Sequence, residues 1–292
     1  MRFGIETMQF KQLMPPGATA EQILPRLAGF DGVKLVESLA EAGFKLIELS
    51  GDLVLFFPQV YAPAQIERLA ELKARLGLQF TCHLPLWSVE PSTPLSAVRE
   101  GSMRALVEGL QAVQALQPEM YVLHATGALA AEFYRMRIPE AARTLVLQRF
   151  QQGASATIQS LLAETGLPSR KLALETIEFP LELTLQLAEQ HNTSICLDTG
   201  HVLAGFAGET PFFDALEKIL PRLGEIHLHD CPEYLKTGVL GYGKDHQPLG
   251  SGDLDVVRLL RRLNEVGFNG PVIFELEVEQ ALQSLARIGK EN

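Results

Sequence analysis

Short apolar stretches that end in a polar or charged residue recur eight times along the chain. Most are separated by segments with apolar residues at helical spacing, such as Ile66, Leu69, Leu72 and Leu76. This alternation predicts parallel strands joined by helical crossovers, and the near-continuous apolar strands predict burial on both faces. In chain order the stretches are RFGIET, FKLIELS, LQFTCHL, EMYVLHA, KLALETI, TSICLDTG, GEIHLHD and PVIFELE.

Eight such units predict a closed (β/α)8 TIM barrel, an α/β fold in which residues 1–292 form a single domain. The alternative architecture is an open, doubly wound sheet. That fold usually carries a glycine-rich GxGxxG turn after its first strand, and the sequence has none. No shift in composition and no low-complexity linker divides the chain, so one barrel is the prediction.

Composition narrows the class of partner. The chain has 25 Lys and Arg against 35 Asp and Glu, a formal net charge of −10. Such a chain is poorly suited to non-specific binding of DNA or of an anionic membrane, so we expect a small-molecule substrate. The sequence shows no signal-peptide layout, no apolar run of about 18 residues and no CxxC pair. These features predict a cytoplasmic protein with reduced thiols, and they leave the oligomeric state open.

The polar residues at the ends of strands three to eight are the candidates for chemistry. In a parallel barrel the C-terminal strand ends surround one mouth, where their side chains converge. Taken singly, each would be an ordinary hydrogen-bonded core or rim residue. Six consecutive strands with such ends instead predict a divalent-metal site. The residues are His83, His124, Glu175, Asp198 with His201, His227 with His229, and Glu275 with Glu277.

Three further residues extend or limit this site. His246 lies in a glycine-rich loop that is long enough to fold over the mouth, although the glycines could serve only as turn residues. Trp87 follows the third strand and is expected either to line substrate space or to pack on a neighbouring loop. His191 follows a helical segment and is expected to lie apart. Nitrogen and oxygen ligands without thiolate suit Zn²⁺, Mn²⁺, Fe²⁺ or Co²⁺.

The motifs LALETIE, SICLDTGH, EIHLHD, PLGSGDLD and GFNGPVIFELE occur in this order along the chain. Together they resemble the xylose isomerase-like TIM-barrel superfamily, which includes sugar phosphate isomerases and epimerases, inosose dehydratases and endonuclease IV-like enzymes (AP endonuclease family 2). The resemblance implies a metal core of Glu175, Asp198, His227 and Glu275. His201 matches a histidine that binds either metal or substrate in this superfamily.

The resemblance leaves two branches open. In the isomerase and epimerase branch, one metal holds adjacent oxygens of a ketose, and Glu175 and Glu275 would be the acid and base beside its carbonyl. In the endonuclease IV-like branch, a metal cluster hydrolyses a phosphodiester, and the ligand set would add His83, His124 and His246. A barrel that has lost its metal and only binds a ligand is a third, non-enzymatic alternative.

Two positions depart from the superfamily patterns. Lys244 stands where the endonuclease IV-like branch has an aspartate, with Asp245 one residue out of register. His229 stands at the lysine position of an HxKD motif in the seventh strand. We assign Lys244, His229 and Trp87 to substrate binding, and leave open whether His229 or Glu277 replaces its neighbour as a ligand.

The prediction that the sequence favours is hydrolysis of a phosphodiester in a small molecule with about one to three divalent ions. Glu175, Glu275 and His201 would be its catalytic residues. The segments HLPLWS, YVLHATG and GKDH resemble cobamide-remodelling phosphodiesterases, so a corrinoid nucleotide loop is one candidate substrate. The alternative is a sugar or sugar phosphate isomerase or epimerase.

Overall fold

The computed structural model describes residues 1–9, 11 and 14–291, and in this range eight parallel strands form a closed barrel. The strands are β1 (Arg2–Glu6), β2 (Leu46–Ser50), β3 (Gln79–His83), β4 (Tyr121–Leu123), β5 (Leu172–Glu175), β6 (Ser194–Asp198), β7 (Leu223–His227) and β8 (Pro271–Phe274). Each strand pairs with its neighbour in sequence, and β8 closes the barrel against β1. The predicted α/β barrel is therefore confirmed.

Helices connect the strands and cover the outside of the barrel. No helix in the described ranges is long and apolar enough to cross a membrane. The helices are α1 (Ala20–Ala28), α2 (Gly32–Glu41), α3 (Pro63–Leu76), α4 (Ser96–Val113), α5 (Ala128–Arg135), α6 (Glu140–Thr165), α7 (Leu181–Gln190), α8 (Thr199–Leu203), α9 (Phe212–Ile219), α10 (Tyr234–Thr237), α11 (Val256–Glu265) and α12 (Val278–Glu291).

Local chemistry fixes the ends of these helices, and burial holds them on the barrel. The carboxylate of Asp31 caps α2 by accepting hydrogen bonds from the amides of Val33 and Lys34. Leu106 and Leu110 of α4 are fully buried in the layer between helices and strands. Truncating such a leucine to alanine costs about 2–5 kcal/mol. This apolar layer therefore holds the strand ends, and the side chains they carry, in fixed positions.

The inside of the barrel is apolar on one side and polar on the other. Val122, Ala173 and Cys196, from β4 to β6, form a small buried apolar cluster. On the other side, Glu48 pairs in register with Thr81, whose hydroxyl donates to Glu48 Oε2 at 3.1 Å. Side chains alternate between the two faces of a strand, so the residue two positions after each of these also points into the barrel. These later residues lie at the mouth, where the C-terminal ends of the strands meet.

The long loop after β7 is fastened to the barrel by Asp230. Its buried carboxylate accepts hydrogen bonds from four backbone amides, those of Cys231, Gly250, Gly252 and Leu254, at 2.8–2.9 Å. The backbone of Asp230 also exchanges two hydrogen bonds with Gln247. These contacts bring residues 245 and 246 back over the mouth of the barrel.

Candidate metal centre

Glu175, at the end of β5, is the buried centre of the site. Nε2 of His83 lies 3.0 Å and Nε2 of His124 lies 2.9 Å from the same oxygen, Oε2 of Glu175. Nδ1 of His83 lies 2.8 Å from the carbonyl oxygen of Leu84, so we assign the Nδ1 proton to that hydrogen bond. Nε2 of His83 is then the nitrogen available at the mouth. Two imidazoles thus converge on one carboxylate oxygen.

His227, from β7, and Glu275, directly after β8, meet on the other side of Glu175. Nδ1 of His227 lies 3.2 Å from Oε1 of Glu275 and 3.5 Å from Oε1 of Glu175. Among the described residues, neither ring nitrogen of this fully buried histidine has a hydrogen-bond partner of good geometry. Buried polar atoms without partners are costly, and a divalent cation among these donors would satisfy them. The residues present therefore fit a metal ion.

Asp198 connects this core to a third group of imidazoles. One of its oxygens accepts a hydrogen bond from the amide of His201, because Asp198 caps α8. The other oxygen lies 2.9 Å from Nε2 of His229 and 3.3 Å from Nδ1 of His201. Nδ1 of His201 is also 3.3 Å from Oε1 of Glu175, so His201 joins the two carboxylates.

His229 orients Asp198 and is not a free ligand in this arrangement. The amide of His246 donates to Nδ1 of His229 at 3.0 Å, so Nδ1 is an acceptor and the proton of a neutral ring is on Nε2. That proton points to Asp198. Gly200 makes room for the ring, since a Cβ there would lie 2.1 Å from His229 Nδ1. This arrangement is typical of the hydrogen-bonding partners that fix metal ligands.

The loop after β7 contributes His246 and Asp245. Nε2 of His246 lies 3.3 Å from Oε2 of Glu275, and its Nδ1 lies 3.1 Å from Oδ2 of Asp245. Asp245 also reaches to 3.9 Å from Nε2 of His201. The side chain of Lys244 is exposed and lines neither cavity at the mouth. The loop therefore turns Asp245, rather than Lys244, toward the site, and the assignment of Lys244 to substrate binding stays a prediction.

The charges of the cluster balance one another. Burial alone would raise the pKa of Glu175, but the imidazoles of His124 and His227 outweigh it and hold that pKa well below its usual range. The pKa of Glu275 is also held well below its usual range, against burial, chiefly by His227. In return, Glu175 raises the pKa of His83 to about 10 against the opposing effect of burial. The carboxylates and imidazoles of the cluster thus favour each other's charged forms, as the opposite shifts of Glu175 and His83 indicate.

Two acids of the first two strands belong to the site but are not among the residues that the sequence predicts. Glu6 ends β1 and lines the cavity, and burial together with Glu275 raises its pKa to about 8. Glu48 lies in the middle of β2, one layer below the mouth, and its Oε1 is 3.2 Å from Nε2 of His227. The stretch RFGIET carries the same strand-end signal for Glu6 as the later strands, whereas the strand-end pattern does not point to Glu48.

A cavity of about 530 Å³ opens above these residues. Asp198 and His227 lie buried beneath it. A second cavity of about 560 Å³ adjoins the first and shares Leu86, Trp87, His124 and His201 with it. The first is lined, among others, by Glu6, Trp87, His83, His124, Glu175, His201, His246, Glu275 and Glu277.

Other residues lie away from the mouth. Nε2 of His191 pairs with the hydroxyl of Ser155 at 2.8 Å, between the helices, apart from the cluster as expected. Cys196 is fully buried inside the barrel. The eight predicted ligands, in contrast, are all brought together at the mouth, where the structure adds Asp245 and places His229 against Asp198.

The chain belongs to the xylose isomerase-like TIM barrel family, whose model matches residues 36–291. One curated relative is the uncharacterized protein MJ1311 of Methanocaldococcus jannaschii. It is 23% identical over 289 residues, which cover 94% of this chain and 83% of the relative.

Several solved structures with the same fold carry the names of sugar epimerases or epimerase-like proteins. The structure of a D-tagatose 3-epimerase-like protein has a TM-score of 0.72 and 19% identity, covering 100% of this chain and 97% of that one. D-psicose 3-epimerase of Clostridium cellulolyticum H10 has a TM-score of 0.66 and 16% identity, covering 100% and 98%. At these identities the likeness shows the fold.

Proposed function

We propose that this protein is a divalent-metal-dependent enzyme that acts on a small molecule at the barrel mouth. Two buried carboxylates, Glu175 and Asp198, and the partly exposed Glu275 lie within reach of several imidazoles there. A barrel that merely binds a ligand has no need for this dense set of ionisable groups, which is costly to bury unless it is paired or bound to a cation. The nitrogen and oxygen donors suit Zn²⁺, Mn²⁺, Fe²⁺ or Co²⁺.

Glu175 is the residue that would be shared between cations. His83 and His124 approach its Oε2 atom, whereas His201 and His227 approach its Oε1 atom. Asp198, His227 and Glu275 would complete a second position. His201, Asp245 and His246 form a third group of donors at the loop.

The reaction that this geometry supports best is hydrolysis of a phosphodiester in a small molecule. The observation that carries it is the pair of imidazoles on one oxygen of Glu175, because a single-metal site needs neither His83 nor His124. Bound divalent ions would lower the pKa of a water to about 7 and neutralise charge on phosphate oxygens. Glu175 and Glu275 would hold these ions in place, and His201 lies in the wall of the cavity above them. The corrinoid nucleotide loop named by the sequence resemblance stays a candidate substrate.

Epimerisation of a ketose or its phosphate is the second candidate, and the fold neighbours favour it. Glu175 and Glu275 both lie within 3.5 Å of Nδ1 of His227, so both reach the same small volume. With pKa values well below the usual range, both carboxylates are in the ionised form that a general base needs, although the same shift makes each of them a weaker base toward carbon. This reaction requires one cation, with His83 and His124 left to contact substrate.

Metal content per chain separates the two reactions. For hydrolysis we expect about two or more tightly bound ions, and the variant His124→Ala should lose about one of them. The matched control is His191→Ala, a histidine outside the site. Bis(p-nitrophenyl) phosphate and a set of ketohexoses are then offered to the same samples. One ion that is retained in His124→Ala, with turnover of a ketose only, would establish epimerisation. Absence of bound metal, with activity unaffected in His227→Ala, would reject both.

A further inference from the structure

The second cavity extends the metal centre that it adjoins. Its wall combines a continuous apolar part with the shared histidines and with the carboxyl groups of Glu90, Glu178 and Asp245. The apolar part is contributed by β–α loops and the start of α5, and it comprises Leu86, Val89, Ala128, Ala131, Ile177 and Phe206. We call this cavity the side chamber. A ligand that reached from the metal centre into it would be polar at one end and apolar at the other.

Two aromatic side chains with large exposed faces form part of the wall of the side chamber. Trp87 is 53% exposed and Tyr242 is 54% exposed. Large aromatic side chains left in water at a cavity are unusual for a purely structural role, and they are enriched where an aromatic or apolar partner binds. Their exposure therefore indicates a surface that a ligand covers.

Both rings are held in place before any ligand arrives. Trp87 packs edge-on against Phe56, with ring centroids 6.2 Å apart and planes at 87°. Tyr242 packs on Phe206 with centroids 5.0 Å apart, and its hydroxyl donates to Glu178. A preorganised aromatic surface loses little side-chain entropy on binding. The two faces are thus supported by packing on neighbouring aromatic rings.

We infer that the substrate carries a planar aromatic group, and that the side chamber binds this group while the polar end of the same molecule lies at the metal centre. The inference rests on the proposed function for the position of the polar end at the metal centre. It adds the chemical class of the group at the other end of the molecule. The shared wall residues His124 and His201 make the two spaces continuous. An unsubstituted sugar would leave the chamber and both aromatic faces unfilled.

Trp87 supplies the readout, because it is the only tryptophan of the chain. The metal-supplemented full-length protein is titrated with phenylphosphonate and with methylphosphonate, which share an inert anionic head and differ only in the ring. Trp87 fluorescence reports binding, and elemental analysis of the same samples reports metal. We expect phenylphosphonate to change the emission and to bind about tenfold more tightly or better.

Variants of the second platform make the test specific. Tyr242→Ala should bring the two affinities close together, whereas Tyr242→Phe keeps the ring and should keep most of the preference. Leu145→Ala, an exposed change on α6 outside the chamber, should alter neither affinity. Equal binding of the two phosphonates by wild-type protein, or binding of neither, would overturn the inference even when the metal content supports the proposed function. If protein that binds no metal still binds phenylphosphonate clearly more tightly than methylphosphonate, the side chamber would be supported as an aromatic site and the proposed function would be rejected.

Discussion

Oε1 of Glu48 lies 3.2 Å from Nε2 of His227, inside the barrel and on the side of the imidazole away from Glu175 and Glu275. The pair is fully buried. A carboxylate at this position favours a proton on Nε2 and leaves the lone pair of Nδ1 for a cation. Burial, and then the charge of Glu48, raises the pKa of the adjacent Glu225 well above its usual range, which favours its neutral form. Glu48 is therefore the carboxyl group that faces Nε2 of His227.

The first prediction concerns this pair. Glu48→Gln keeps the shape of the side chain but removes its charge, so it should weaken metal binding by about 10- to 100-fold without unfolding the protein. Competition with a chromogenic chelator measures the affinity, and circular dichroism checks the fold. Glu67→Gln, an exposed change on α3, is the control. Unchanged affinity in Glu48→Gln would mean that His227 needs no partner to bind metal.

The second prediction concerns the space at Gly200. In Gly200→Ala the new Cβ would lie 2.1 Å from Nδ1 and 2.2 Å from Cε1 of His229, so the imidazole must move off Asp198. We expect weaker metal binding and a lower melting temperature. Gly101→Ala on α4 is the matched control, because a Cβ there meets nothing within 4 Å. That control should be neutral or stabilising by about 0.5–1 kcal/mol. Wild-type behaviour of Gly200→Ala would contradict the close approach of His229.

The third prediction concerns the anchor of the loop. Asp230→Asn places an amide nitrogen against backbone amides that need an acceptor, which should cost about 2–5 kcal/mol. The expected result is faster hydrogen exchange and easier proteolysis of residues 238–250, together with loss of a cation bound through His246. The cation held by the strand-end ligands should remain. Asp214→Asn, an exposed change on α9, serves for comparison. A loop that stays protected in Asp230→Asn would show that other contacts hold it.

The fourth prediction concerns pH. The pKa of His83 is raised from 6.5 to about 10 by Glu175. A histidine with a raised pKa in the folded state contributes stability that is complete below pH 6.5 and is lost as the pH rises toward 10. The melting temperature of the metal-free protein should therefore fall across this window.

Added metal should stabilise the folded protein more as the pH rises, because a cation binds the imidazoles only after their protons leave. The rise in melting temperature caused by added Zn²⁺ should grow between pH 6.5 and 9. Thermal scans with and without metal, in buffers of matched ionic strength, measure both trends. His83→Gln should flatten the decline of the metal-free protein. A metal-free melting temperature that rises with pH through this window would contradict the charge pairing of His83 and Glu175.

The sequence by itself determined the barrel and most of the site. Strand alternation is a local property with a period of two residues, so the apolar stretches revealed both the strands and the polar residues that end them. For parallel strands in a closed barrel, those ends must meet at one mouth. Glu175, Asp198, His227 and Glu275 could therefore be grouped without coordinates. Glu6 obeys the same local rule and is within reach of sequence reasoning, whereas Glu48 lies in the middle of β2 and does not.

Only the tertiary structure decided the roles that depend on long-range contacts. Whether Lys244 or Asp245 faces the site depends on the path of a loop, and that path is fixed by backbone amides that Asp230 gathers from up to 24 residues away. The role of His229 depends on which of its nitrogens the amide of His246 occupies. The side chamber likewise arises from loops that are separate in sequence and meet only in the folded barrel. No local periodicity encodes such contacts, because each is satisfied by atoms whose positions the whole fold sets.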